Sequence, residues 1–202
     1  MKLLLVSQYF WPETFPINNL IRKLHSMGCE VTVITGKPNY PEGKIFPGYS
    51  AACIQHEEYG DLEVIRIPML PRKKGALGLF INYLSFVVSG IWYMPRLLKG
   101  RKFDVILVYA ISPITAAIPA IRIKHRLGAH LAVWVQDLWP QSLSATGYIK
   151  NRLVLKLVGF MVAWVYARTD TLLAQSHAFV SAMEKYACLL YTSDAADESS
   201  SV

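Results

Sequence analysis

The turn after the first apolar run, "SQYFWPETFPINNL" (7–20), contains no glycine. The GxGxxG fingerprint is therefore missing, and with it the close backbone approach that a dinucleotide pyrophosphate needs at a helix N-terminus. This argues against nicotinamide and flavin chemistry. The chain also lacks a GxxxxGK[ST] loop, a DxD or histidine cluster, and a GxSxG elbow, so no metal site or serine hydrolase is expected. Cysteine is scarce: Cys29, Cys53 and Cys188 show no CxxC or histidine-paired spacing, as suits incidental thiols in a reducing compartment. "MKLLLVSQ" has too short an apolar run for a signal peptide and reads as a first strand.

Acid is scarce as well. Of the 14 Asp and Glu, Asp194, Asp197 and Glu198 sit in the tail, leaving 11 against all 21 Lys and Arg before residue 188. With 53% hydrophobic residues and a mean hydropathy of +0.29, the surface should be both basic and apolar. Such a surface suits anionic lipid headgroups or a phosphorylated ligand. Nucleic acid is not expected, because no basic helix, zinc spacing or aromatic ribonucleoprotein motif is present.

Four short runs are continuously apolar, as strands buried on both faces are: 2–7, 30–35, 103–110 and 130–135. "EVIRIP" (63–68) alternates and should lie nearer an edge, and "TLLAQS" (171–176) is a sixth candidate. Helical patterns separate them. One opens at Pro16 and stops at Gly28; another has Ser112 as N-cap, Pro113 at its first position and Gly128 at its end. Pro119 inside the latter should kink its first turns or delay its start. A third covers "NRLVLKLVGFMVAWVYARTD", before the sixth strand. The alternation predicts an α/β fold: a doubly wound, mostly parallel, Rossmann-like sheet with ligands at the carboxyl ends of its strands.

Three loops at that rim carry candidate chemistry. The first, with Tyr9, Phe10, Trp11, Pro12, Glu13, Phe15 and Pro16 ahead of Asn18 and Asn19 at a helix start, is a stiff apolar lip for a sugar ring or lipid chain, or simply a loop packed on the domain. Asn18 and Asn19 would equally serve as helix caps. The second, "GKPNYPEGKIFPGYS", offers Lys37, Asn39, Tyr40 and Lys44 for a phosphate and sugar hydroxyls, unless these are merely solvated. In the third, "VQDLWPQSL", Asp137 stands two residues beyond a core strand with Trp139 beside it. Asp137 either caps the following helix, pairs with an arginine, or holds sugar hydroxyls in a cleft walled by Trp139. His125 and His130 read as structural or exposed. The uncharged 76–94 stretch is long enough to span a bilayer, yet Asn82, Ser85, Ser89, Tyr93 and Arg96 form a polar stripe along it. A helix packed on the domain and dipping into the membrane interface fits better than a span; plain burial is the other reading.

"QYFWPETFPINNL", "TGKPNYPEGKIFPGY", "VIRIP", "NYLSF", "SPI" and "QDLWPQSL" occur in this order, and together they resemble the N-terminal half of family 4 retaining glycosyltransferases. The subgroup it resembles most transfers fucose or fucosamine-type sugars in O-antigen and capsule assembly. The resemblance implies one Rossmann-like half of a GT-B enzyme over residues 1–187. A nucleotide sugar would be the donor, bound mainly by a second half. It also implies a polyprenyl-diphosphate-linked saccharide as acceptor, no metal or cofactor, and a cytoplasmic, peripheral location on the inner membrane face. Asp137 would be the catalytic residue. By the matching motifs Trp139 would lie with it at the acceptor or transferred sugar, Pro12, Glu13, Asn18 and Asn19 in the first loop and Tyr40 and Lys44 in the second. Trp11, Lys37, Asn39 and Ser112 are further acceptor-side candidates on their own chemistry. At one point the sequence departs from the family: "FPIN" replaces a paired-glycine turn, which implies less backbone contact with donor phosphate. A non-catalytic membrane-docking subunit paired with a separate donor-binding chain is the alternative. Residues 188–202, with no Lys or Arg and four serines, resemble adapter read-through or a disordered tail, so truncation before the donor-binding half is expected.

Overall fold

The computed structural model describes residues 1–112, 114–145, 147 and 151–186, and the backbone of 191–192. Eight strands form one sheet: β1 (Lys2–Ser7), β2 (Glu30–Thr35), β3 (Gln55–Tyr59), β4 (Leu62–Arg66), β5 (Val105–Ala110), β6 (His130–Val135), β7 (Thr171–Leu173) and β8 (Tyr191–Thr192). Their order is β3-β4-β2-β1-β5-β6-β7-β8, parallel except for the β3–β4 hairpin. The fold is α/β, doubly wound and Rossmann-like.

Alternate residues of the strands enter two cores. Leu3, Leu5, Val31 and Val33 pack with Ile17 and Ile21 of α1 (Pro16–Ser26) on one face. Leu4, Val6, Ile106, Val108 and Val133 pack on the other face with α2 (Gly75–Leu97), α3 (Ala117–Leu127) and α5 (Arg152–Tyr166). Burial on both sides explains the unbroken apolar runs of β1, β2, β5 and β6. Two short helices, α4 (Gln141–Ala145) and α6 (His177–Glu184), complete the described elements.

Several expectations shift. β5 starts at Val105, β4 ends at Arg66 and β7 ends at Leu173, each shorter than its apolar run. β4 lies near the edge as expected, with only the polar strand β3, "QHEEY", outside it. A short 3-10 turn (Ile114–Ala116) precedes α3, so Pro119 falls in the first turn, where a missing N–H costs nothing. Asn18 and Asn19 lie inside α1, whose N-cap is Phe15, and neither caps it. The expected Pro113 helix start lies outside the described residues. So does the tail, apart from the backbone of β8.

Candidate functional site

The register brings four loops to one rim. Ser7 pairs with Thr35 and with Tyr109, and Ala110 pairs with Val135, so β1, β2, β5 and β6 end level with one another. Between their loops lies a cleft of about 240 Å³. Tyr9 and Phe15 line it from the first loop, Tyr40 from the second, Ile111 and Ser112 after β5, and Asp137 after β6. Arg72 enters from the segment leading into α2, Leu79 and Tyr83 from α2 itself, and Ser142 and Leu143 close it from α4.

One wall is aromatic: the Tyr9, Phe15 and Tyr40 rings form a triangle with centroids 5.5–5.9 Å apart. Burial pushes the Tyr9 phenol well above its usual range, so it stays a neutral hydroxyl. The carboxylate lines the same cleft. Half-buried Asp137 accepts a 3.1 Å bond on Oδ2 from the Trp139 indole N–H. Trp139 is buried against the Tyr83 ring at 6.2 Å, and the Tyr83 hydroxyl lies 3.5 Å from Ser112 Oγ. Asp137 is thus oriented by a packed tryptophan, and Ser112 sits in the cleft instead of capping α3.

The other named residues lie elsewhere. Trp11 is not at the cleft; its ring stacks on Tyr59 of β3 at 5.1 Å, and its carbonyl accepts from Arg66. Pro12 is half-buried in the same loop, outside the lining. Glu13 is buried, and its Oε1 accepts from the backbone N–H of Asn39 (2.8 Å) and Tyr40 (2.7 Å). Asn18 donates to the Glu13 carbonyl at 2.7 Å, whereas Asn19 is exposed. Lys37 is fully buried and donates to Gln55 Oε1 at 2.5 Å; burial pulls its ammonium down to about 8. Asn39, also fully buried, donates to the Lys37 carbonyl and accepts from Arg72 N–H, both at 2.8 Å. Lys44 is exposed and outside the lining. Polar loop residues turn inward here because a loop that leaves a buried sheet edge must satisfy its own backbone donors. Fully buried Arg66 completes the frame by bonding Glu57, Gly36 O and Trp11 O.

Tyr9 and Phe15 belong to the aromatic lip expected of the first loop, whereas Arg72 and Tyr83 were not foreseen as lining residues. Only the basic run "PRKKG" before α2 and the "NYLSF" segment pointed towards the last two.

This arrangement, a cleft at the carboxyl rim of a parallel sheet, agrees with the comparisons. Residues 17–187 match the model of the glycosyl transferase 4-like domain. The chain belongs to that family. A relative in Escherichia coli (strain K12), WcaI, carries the name of a colanic acid biosynthesis glycosyl transferase and is 29% identical over 143 residues, or 68% of this chain and 34% of its own. Among solved structures, sucrose-phosphate synthase from Thermosynechococcus elongatus superposes with a TM-score of 0.62 at 12% identity, over 94% of this chain and 47% of that one. The E. coli trehalose-6-phosphate protein bound with UDP-2-fluoro glucose gives 0.58 at 10% identity, over 91% and 42%. These two likenesses concern the fold. The glycosyl transferase 4-like chain spans about a third of WcaI and under half of each solved structure.

Proposed function

We propose that this chain is the acceptor-side half of a retaining glycosyltransferase of surface polysaccharide synthesis. The sugar, of fucose or fucosamine type, would pass from a nucleotide sugar to a polyprenyl-diphosphate-linked saccharide. The observation that carries the reading is the pairing of an oriented carboxylate, Asp137, with an aromatic wall in one cleft. Ring faces suit the flat apolar side of a sugar, and a carboxylate accepts from its hydroxyls. The name of WcaI supports the polysaccharide context.

In this reading the acceptor hydroxyl oxygen bonds to the anomeric carbon as the bond to the nucleotide phosphate breaks on the same face. The hydroxyl proton passes to the departing phosphate oxygen. Asp137 positions the hydroxyl, while the Trp139 N–H holds Oδ2 and leaves the remaining lone pairs for the acceptor. The donor nucleotide belongs to a second Rossmann-like half, and no metal or cofactor takes part. In the full-length enzyme, Asp137→Asn is expected to lower kcat by about a hundredfold or more, with Tm within about 2 °C of wild type. Normal turnover with a large drop in Tm would reduce Asp137 to a structural partner of Trp139.

The same reading places the chain on the inner face of the membrane. α2 is long and apolar enough to cross a bilayer, but its polar side is engaged by its own domain. Buried Asn82 accepts from Gln8 at 2.7 Å and donates to Leu70 O at 2.6 Å, and Ser89 is buried beyond it. The outward face is apolar: Leu77, Phe80, Leu84, Val88 and Trp92 are exposed. On the same side of the sheet α5 exposes Leu153, Leu157, Phe160 and Trp164. Arg96 and Arg168 lie over Trp92 and Trp164 at 4.3 and 4.4 Å. Apolar stripes with cations over their aromatic residues suit an anionic interface, with α2 lying in the membrane plane.

A further inference from the structure

Beside the cleft opens a vestibule of about 490 Å³ that shares Tyr40, Arg72 and Leu79 with it. Its further lining includes Lys73, Lys74 and one acid, Glu42. Three consecutive cations thus stand at the mouth of a pocket that contains a single carboxylate. Among the described residues none of the three forms an ion pair. Arg72 is fixed: its N–H donates to buried Asn39 Oδ1 at 2.8 Å, and its guanidinium lies 5.7 Å from the centre of the Tyr40 ring. The wall is built by close approach. A Cβ on Gly43 would lie 1.9 Å from Arg72 O, so only glycine lets the second loop meet this segment. Lys73 and Lys74 are exposed, and the outward apolar face of α2 begins just beyond them at Leu77 and Phe80.

We propose that this vestibule binds the diphosphate that joins the acceptor saccharide to its lipid. Arg72 would grip it by its planar fork, with Lys73 and Lys74 as point charges. The inference rests on the acceptor reading above and deepens it. The saccharide occupies the cleft, the diphosphate crosses the Arg72–Lys74 rim, and the isoprenoid runs out along α2 into the bilayer. The order of sugar, anion and apolar chain follows the order of rings, cations and apolar helix face along the protein. Charge is what selects the group: adjacent unpaired cations repel one another until a multiply charged anion neutralises them. The phosphate contacts expected of Lys37 and Lys44 are replaced by these three.

The test is calorimetric titration of the chain with geranyl diphosphate, geranyl monophosphate and inorganic diphosphate. Geranyl diphosphate is expected to bind tightest. Arg72→Gln should weaken it roughly tenfold or more, and Lys73→Gln with Lys74→Gln by a similar factor, at unchanged Tm. Glu42→Gln, which removes the one like charge, should tighten it. Lys99→Gln with Lys102→Gln, in a basic pocket at the opposite rim, should leave it unchanged. Equal loss in that control pair, or wild-type affinity in the Lys73, Lys74 double variant, would overturn the proposal. Inorganic diphosphate binding as tightly as the geranyl compound would overturn the assignment to a lipid-linked ligand. Because binding is read without donor or turnover, its failure is distinguishable from failure of the sugar-transfer reading, which the Asp137→Asn measurement judges.

Discussion

Glu13 is a carboxylate shut away from water, and its two closest donors are the backbone N–H groups of Asn39 and Tyr40. Burial pushes its pKa up, against those hydrogen bonds and the charge of Arg66, which pull it down. The residue ties the first loop to the second, and so holds Tyr40 where the cleft needs it. Glu13→Ala orphans two buried donors and is expected to cost about 2 to 4 kcal/mol. Glu13→Gln keeps an acceptor oxygen and should be far milder. An acid whose folded pKa is raised stabilises below its unfolded pKa, and that contribution is lost as pH rises through the folded value. The stability of Glu13→Gln relative to wild type should therefore improve with pH from about 4 to 7. Chemical denaturation across that range checks both statements. Equal destabilisation by Ala and Gln would remove Glu13 from the loop frame.

α2 is the element on which the site and the surface both depend. Its inner side carries Asn82 to the Gln8 side chain, Tyr83 to the cleft, and Gly90 to α3. A Cβ on Gly90 would lie 2.7 Å from Pro119 Cβ, so the two helices touch through the absence of a side chain. Gly90→Val should cost about 1 to 3 kcal/mol by overpacking, read as a lowered Tm. Leu84→Ala, on the exposed side, should be near neutral. The reverse order would mean that α2 packs through its apolar face. The composition of "ALGLFINYLSFVVSGIWYM" leaves that choice open, since apolar residues lie on every side of the helix. Where the polar stripe goes was decided by partners far off in the chain: Gln8, Leu70 and Pro119.

Across the whole molecule, the cleft lies at the carboxyl rim and α2 runs from beside it down one flank, where α3 and α5 join it. A membrane lying along α2 and α5 would bring lipid to the vestibule without entering the sheet. The chain is expected to bind vesicles containing phosphatidylglycerol, and binding should weaken several-fold between about 0.1 and 1 M salt as the basic residues are screened. Phe80→Ser with Trp92→Ser should reduce it at any salt. Sedimentation with vesicles reads both, and salt-insensitive binding that requires detergent for release would favour a spanning helix.

By itself the sequence determined the doubly wound sheet, because strands buried on two faces must be apolar at every position and so are visible one residue at a time. It also determined the rim at which the cleft lies, since strand ends are local and parallel order fixes their side. Tyr40, Ser112 and Asp137 were legible for that reason, each lying just past a strand end. Only the tertiary structure decided which polar residues face the cleft and which hold it up. Glu13, Lys37 and Asn39 have the chemistry of ligand contacts, yet loops folded over a buried sheet edge consumed that chemistry internally. Trp11 went to Tyr59, on a strand whose polar sequence gave no sign that it would be there. Hydrogen-bond partners and ring stacks depend on residues distant in the chain, and their satisfaction is a property of the assembled rim.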